Sequence, residues 1–170
     1  THTRSNREAS RGKQGGRTLE IQRLIGRSLR SIIDLKTLGE RQIIIDCDVI
    51  QADGGTRTAS ITGGWIALSH AVNKLLHNNK IKTNPIITQI CAISCGVWNG
   101  FSVLDLDYSE DSSAEIDSNF VLTSDKKLVE VQISSESDPF KKSIMDELLN
   151  LAFDGAEKIF EQQLKAVDDL

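Results

Sequence analysis

The stretch QADGGTRTAS, residues 51–60, separates an apolar run from a helix-like run and decides how the two are connected. Glycines after a strand let the backbone turn tightly and leave room for a ligand against the main chain. The helix that follows begins with unpaired N–H groups and the positive end of its dipole, which favour an anion. Thr56 adds a hydroxyl, and Arg57 adds a guanidinium whose planar fork suits two phosphate oxygens. The stretch predicts a phosphate-binding turn, although an ordinary strand-to-helix connection has the same composition.

Hydrophobic spacing predicts three elements around this turn. Apolar residues at helical spacing indicate a helix over residues 17–38, which Gly39 is expected to end. The β-branched run RQIIIDCDVIQ, residues 41–51, is predicted to form a strand. A further apolar face at helical spacing indicates a second long helix over residues 57–78.

The second half of the chain is predicted to contain two hairpins and a long helix. Asn99-Gly100, which both tolerate positive φ, separate two β-type runs, and residues 124–126 separate two more. Asp138-Pro139 is expected to open a C-terminal helix. The order α-β-α-β-β-β-β-α indicates an α+β fold, with a mixed sheet of hairpins packed with helices in one domain.

Charge is unevenly distributed along the 170 residues, whose formal net charge is −4. Residues 1–30 contain eight Arg or Lys and two Glu, so a segment with about six net positive charges precedes an acidic remainder. This distribution predicts either that a polyanion binds at one place or that the first helix has a solvated basic face.

Several classes of protein are disfavoured by composition. No apolar run approaches the roughly 20 residues that a membrane helix needs, and no secretory signal is recognisable. Cys47, Cys91 and Cys95 have neither metal-binding nor disulfide-framework spacing, so they are expected to be small buried residues in a reducing cytoplasm.

A second group of charged residues lies in LDLDYSEDSSAEID, residues 104–117. Asp105 and Asp107 are expected to project to the same face of a strand, where like charges repel unless something neutralises them. Oxygen ligands suit Mg²⁺ or Mn²⁺, which proteins often hold through one or two carboxylates plus substrate phosphate oxygens. The alternative is a solvated acidic hairpin end, and Glu110 and Asp117 are expected to be supporting or solvated residues.

Five segments in one order resemble the ribonuclease PH family of bacterial phosphate-dependent 3′-to-5′ exoribonucleases. The resemblance covers essentially the whole chain and implies a ribonuclease PH-like domain of the ribosomal protein S5 domain 2-like class. Residues 1–170 would form a single domain that matches the C-terminal two-thirds or so of family members, without their N-terminal strands. The five segments are residues 1–30, residues 45–64, KTNPI (82–86), residues 104–117 and LVEVQ (128–132).

The resemblance implies a reaction and an assembly. Inorganic phosphate, rather than water, would attack the last phosphodiester at the 3′ end of RNA and release a nucleoside diphosphate. The substrate would be precursor tRNA with extra 3′ nucleotides, and the enzyme would form a homo-hexamer built as a trimer of dimers. Two alternatives stay open: a non-catalytic RNA-binding or scaffold subunit, and an inactive truncated family member.

The resemblance also assigns roles to particular residues. The phosphate site would consist of Arg17, Gly55, Thr56 and Arg57. The carboxylates that hold Mg²⁺ or Mn²⁺, or act as acid and base, would be Asp105 and Asp111. Contacts to the RNA backbone would come from Arg4 and Arg7, whose place in the basic segment fits that role independently.

Two departures from the family pattern stand out. Residues 133–137, ISSES, replace a glycine-containing stretch and lose its flexibility. Trp65 replaces a smaller residue and is expected to serve core or interface packing.

Overall fold

The computed structural model describes Glu8, Gly12, residues 14–136 and residues 138–168. Arg4 and Arg7, the two arginines predicted to contact RNA, lie outside the described residues. The described elements are, in chain order, α1 (Gly16–Ser31), α2 (Leu35–Leu38), α3 (Thr56–His77), β1 (Ile90–Trp98), β2 (Phe101–Leu104), α4 (Tyr108–Asp111), β3 (Ile116–Thr123), β4 (Leu128–Ser135) and α5 (Lys142–Asp168).

The four described strands form one antiparallel sheet in the order β2-β1-β3-β4. Asn99 and Gly100 connect β1 to β2 with φ angles of 51° and 76°, as a tight hairpin requires. The second predicted hairpin joins β3 to β4. The α+β class and both hairpins are therefore confirmed.

Helices cover both faces of this sheet. Because side chains alternate along a strand, Ala92 and Val121 face α1 and α3, whereas Cys91 and Phe120 face α5. Each face has its own cluster of buried apolar residues. The α1/α3 layer and the α5 layer are thus separate cores on one sheet.

The predicted strand over residues 41–51 is wrong, because this segment contains no strand in the structure. Ile43 and Ile45 pack against the α1/α3 cluster, but Ile44 and Ile50 are 81% and 87% exposed. β-branched residues favour a strand only where a neighbouring strand supplies hydrogen bonds and packing. No described strand runs beside this segment, so it is not a strand of the sheet.

The first predicted helix is divided in two. α1 ends at Ser31 because Ile33 forms an isolated antiparallel bridge with Ile86. A short helix, α2, then begins after Asp34, whose side chain accepts a hydrogen bond from the Lys36 N–H at 2.9 Å. Gly39, with φ of 75°, ends this helix as predicted.

Two later boundaries also differ from expectation. The acidic stretch contains the helical turn α4, which begins at an Asp107 capping box with Glu110. α5 begins at Lys142 rather than directly after Asp138-Pro139.

Three further predictions, on the cysteines, on Trp65 and on membrane helices, can be compared with the structure. Cys91 and Cys95 are buried, and burial raises the pKa of both thiols to about 12, whereas Cys47 is only half-buried. Trp65 is 5% exposed and its indole N–H donates to the Thr88 carbonyl at 3.3 Å, so it is a core residue. None of the described helices is both long and apolar enough to cross a membrane.

Candidate active site

The turn before α3 is pressed against the chain that follows β2. Gly54 and Gly55 have φ angles of 77° and 52°, in the left-handed region that glycine adopts without strain. A Cβ on Gly54 would lie 2.3 Å from the Leu106 carbonyl oxygen, so no side chain fits there. The Tyr108 N–H also donates to the Asp53 carboxylate at 3.2 Å. Residues 53–55 therefore sit directly beside the acidic stretch.

Asp105 lies at this turn. Its N–H donates to the Ser94 carbonyl at 2.8 Å, and its φ of 59° is unusual for a residue other than glycine. Asp105 Oδ1 is 3.9 Å from the position of a Cβ on Gly55. β2 ends at Leu104 and Asp107 caps α4, so the expectation that Asp105 and Asp107 share a strand face is wrong. Tertiary contact with the glycine turn decides where the Asp105 carboxylate lies.

A buried hydroxyl faces the same turn. Ser94 Oγ is also 3.9 Å from the Cβ position of Gly55, and Ser94 is 3% exposed. It has no hydrogen-bond partner among the described residues. Because buried polar groups are nearly always hydrogen-bonded, a free hydroxyl here indicates room for a water or a ligand.

Arg57 lies in the first turn of α3, and its side chain is 18% exposed. Its Nη1 donates to Glu20 Oε1 at 3.4 Å and to Gln132 Oε1 at 3.2 Å. Glu20 belongs to α1 and Gln132 to β4, so the guanidinium lies where α1, α3 and the sheet meet.

Arg17 is exposed and lies in the first turn of α1. Residues three apart are neighbours on a helix surface, so Arg17 lies beside Glu20, the residue that contacts Arg57. Arg17 is therefore one helical turn away from the residue whose carboxylate contacts Arg57.

Asp117 was expected to be a supporting or solvated residue, and the structure places it within electrostatic range of Arg57 and Asp111. It is half-buried on β3, two residues before Asn119 on the strand face that α3 covers. Burial raises the pKa of Asp117, the negative charge of Asp111 raises it further, and the positive charge of Arg57 opposes the shift. Asp111, Asp117 and Arg57 therefore interact electrostatically. Alternation along β3 was the sequence signal that could have identified Asp117.

The carboxylates offer only part of a metal site. Among the described residues, no group of three or more His, Cys, Asp or Glu side chains is arranged to hold a metal ion. Asp105 lies at the Gly55 turn, while the exposed Asp111 interacts with Asp117. One or two carboxylates suffice for Mg²⁺ when phosphate oxygens and water complete the shell. The carboxylates of Asp105 and Asp111 fit a Mg²⁺ or Mn²⁺ site only if substrate phosphate oxygens complete the coordination shell. They do not suffice for a site made of protein ligands alone.

Two family models match nearly the whole chain. The model for domain 1 of the 3′ exoribonuclease family matches residues 2–73, and the model for domain 2 matches residues 88–155. The chain therefore belongs to the 3′ exoribonuclease family.

Within that family, the resemblance to ribonuclease PH is confirmed. The chain is 58% identical over 167 residues to the ribonuclease PH of Caulobacter vibrioides, in strains NA1000 / CB15N and ATCC 19089 / CIP 103742 / CB 15. The alignment covers 98% of this chain and 70% of each relative. The structure is also similar to rice (Oryza sativa) Rrp46, with a TM-score of 0.69 and 17% identity, over 92% of this chain and 68% of that one. The rice structure supports the fold alone.

Proposed function

We propose that this chain is a phosphate-dependent 3′-to-5′ exoribonuclease, a nucleotidyltransferase that trims extra nucleotides from the 3′ ends of precursor tRNA. The observation that carries the proposal is the meeting of Arg57, the Gly55 turn and the Asp111–Asp117 pair at the start of α3. The 58% identity to a ribonuclease PH supports the same reaction.

Orthophosphate would bind at the start of α3. This helix has 22 residues, and its first N–H groups at Thr56 and Arg57 point toward the turn. Arg57 and Arg17 would add guanidinium donors, and the free Ser94 hydroxyl lies on the sheet side of the turn. Such a site places the nucleophile through charge and geometry, which is most of what phosphoryl transfer requires.

The chemical step then follows from this placement. A phosphate oxygen attacks the last phosphorus of the RNA, and the bond from that phosphorus to the preceding ribose 3′ oxygen breaks. The products are a nucleoside diphosphate and an RNA shorter by one nucleotide, whose 3′ oxygen takes up a proton. The pKa of Asp117 is raised by burial and by Asp111, so this carboxyl is easier to protonate than an ordinary aspartate and is a candidate to donate that proton.

A divalent ion would supply electrostatic stabilisation. Asp105 and Asp111 would hold Mg²⁺ or Mn²⁺ together with phosphate oxygens, and the ion when bound would offset charge on the scissile group.

The remaining assignments concern RNA and assembly. Arg4 and Arg7 would contact RNA phosphates, which positions the strand without reading its sequence. The chain would act as a single ribonuclease PH domain over residues 1–170, in the cytoplasm, and assemble with itself into a ring of six.

Product identity tests the proposed reaction. The purified chain is incubated with a precursor tRNA that carries a short 3′ extension, with and without orthophosphate, and the released nucleotides are separated by ion-exchange chromatography. Nucleoside diphosphates that form only with phosphate are the expected result. Monophosphates formed without phosphate would indicate hydrolysis, and RNA binding without trimming would indicate a non-catalytic subunit.

A further inference from the structure

The side chain of Arg57 is held by one charged and one neutral acceptor. Glu20 Oε1 and Gln132 Oε1 both accept from the same nitrogen, Nη1, at 3.4 Å and 3.2 Å. Within the described part of the chain, Nη2 and Nε of Arg57 make no hydrogen bond, so their donors stay available to an anion. The shorter of the two contacts is the neutral one.

Gln132 ends a row of polar residues across the sheet. Ser94 on β1, Asn119 on β3 and Gln132 on β4 are direct cross-strand partners. Ser94 and Asn119 are 3% and 8% exposed, whereas Gln132 is exposed. The row lies on the strand face that α3 covers, directly under the guanidinium. Gln132 therefore reaches Arg57 from a rigid strand without being part of either apolar core.

A neutral acceptor has a consequence that a carboxylate would not have. An amide oxygen fixes the direction of a guanidinium and adds no negative charge to that of Glu20, which already contacts Arg57. A carboxylate at the same place would form an ion pair with Arg57 and compete with an incoming phosphate for the same charge. A glutamine at position 132 thus orients the Arg57 guanidinium and also favours its affinity for an anion.

We infer that Gln132 is a positioning residue that orients Arg57 toward orthophosphate while leaving its charge available to the anion. This inference rests on the proposed phosphate-binding role of Arg57. Gln132 acts through Arg57 and itself touches neither phosphate nor RNA.

Three variants of the full chain separate orientation from charge. Gln132→Glu keeps the acceptor and adds a charge, and Gln132→Leu removes the acceptor at similar size. Gln162→Glu makes the same chemical change on the exposed surface of α5, where no hydrogen bond to Arg57 is formed, and is the matched control. Orthophosphate binding is measured by isothermal titration calorimetry at low ionic strength, and stability is measured by urea unfolding.

We expect the two variants at position 132 to rank in opposite orders in phosphate affinity and in stability. Gln132→Glu should bind orthophosphate about tenfold more weakly than the unsubstituted chain, and Gln132→Leu about three- to fivefold more weakly. Stability should follow the other order, with Gln132→Glu at least as stable as the unsubstituted chain and Gln132→Leu slightly less stable. In the trimming assay, Gln132→Glu should raise the KM for phosphate and leave kcat and RNA affinity near their original values. Gln162→Glu should change none of these quantities.

Each other outcome overturns the inference. Equal phosphate affinity in Gln132→Glu and the unsubstituted chain would show that the amide has no role at Arg57. Weaker binding in Gln132→Leu than in Gln132→Glu, with stability in the same order, would show a purely structural hydrogen bond. If the unsubstituted chain trims RNA with phosphate but Gln132→Glu resembles Gln162→Glu, the inference alone fails. If the unsubstituted chain binds no orthophosphate, the proposed function fails together with it.

Discussion

The two helical layers on the sheet both contain fully buried apolar residues, but they differ in what borders them. Against α5, Phe120, Leu122 and Leu148 are fully buried in one continuous apolar cluster. The α1/α3 layer instead borders a cavity of about 840 Å³ beside residues 41–51, and its sheet face becomes polar at Ser94. Arg57, Ser94 and the candidate carboxylates do not line that cavity, so the polar end of the sheet face, and not the cavity, marks the candidate site. Substitutions in the two layers should therefore have different effects.

The largest expected effect is that of Arg57→Ala on activity. Loss of the guanidinium should lower the phosphate-dependent trimming rate about 100- to 1,000-fold, as removal of a preorganised charge-stabilising donor does in other enzymes. Stability should change by less than about 1 kcal/mol, because the contacts of Arg57 are partly solvated. Trimming rates and urea unfolding check both statements. Lys158→Ala, an equal charge change on the exposed surface of α5, is the control and should trim normally.

Leu148→Ala should affect stability rather than phosphate-dependent activity, which is the reverse of Arg57→Ala. Leu148 is 0% exposed in the α5 layer, so its truncation should lower the free energy of unfolding by about 2–5 kcal/mol. The KM for phosphate of the folded fraction should stay unchanged, because α5 lies across the sheet from Arg57. A raised KM together with a small loss of stability would remove the distinction between the layers.

A substitution in the glycine turn before α3 should lower both stability and trimming activity. Gly54→Ala places a methyl group 2.3 Å from the Leu106 carbonyl oxygen at positive φ, so both stability and trimming should fall. Gly100→Ala has a similar φ of 76° but no atom within 4 Å of its Cβ, and it should cost only about 1–2 kcal/mol of stability. Urea unfolding of the two variants separates backbone strain from the clash. Equal losses would mean that the contact with Leu106 relaxes.

The smallest expected effect concerns pH and Asp117. Its pKa is raised in the folded protein, so the folded state binds more protons than the unfolded state above the ordinary value of 3.8. Its contribution to stability therefore falls as pH rises from 3.8 toward the raised pKa, and it is unfavourable at neutral pH. Asp117→Asn should increase the free energy of unfolding at pH 7 by less than about 1 kcal/mol, because Asp117 is partly solvated.

Comparison of urea unfolding at pH 7 and at a pH below 3.8 tests this sign. The difference between Asp117→Asn and the unsubstituted chain should vanish at the lower pH, where both states are protonated. Asp154→Asn is a matched control, because it makes the same chemical change at an exposed position of α5. A lower stability of Asp117→Asn at pH 7 would contradict the electrostatic origin of the shift.

Local chemistry made several features predictable. Asn99-Gly100 requires a tight turn wherever two β-type runs flank it, and the structure has this hairpin. The helix predicted over residues 57–78 is α3, because its apolar residues recur at helical spacing. The glycines before it adopt the left-handed region. These features depend on neighbours in sequence, so they need no knowledge of distant contacts.

Contacts between distant residues were not predictable in the same way. Ile33 continues the helical spacing of α1 but pairs with Ile86, 53 positions further along, and this contact ends the helix. Residues 41–51 have strand composition without a described strand beside them. Asp117 was expected to be a supporting or solvated acid, and sequence could not decide between the two, because its half-burial and its interactions with Asp111 and Arg57 arise only in the folded chain.

The sequence by itself therefore determined the α+β class, the hairpins, the glycine turn before α3 and the family, because each follows from short motifs or from similarity along the chain. Only the tertiary structure decided that Arg57 meets Gln132 and that Asp117 shares a site with Asp111. The physical reason is that hydrogen bonds and charges act over a few ångströms in space, and these partners become neighbours only when the sheet and its helices assemble.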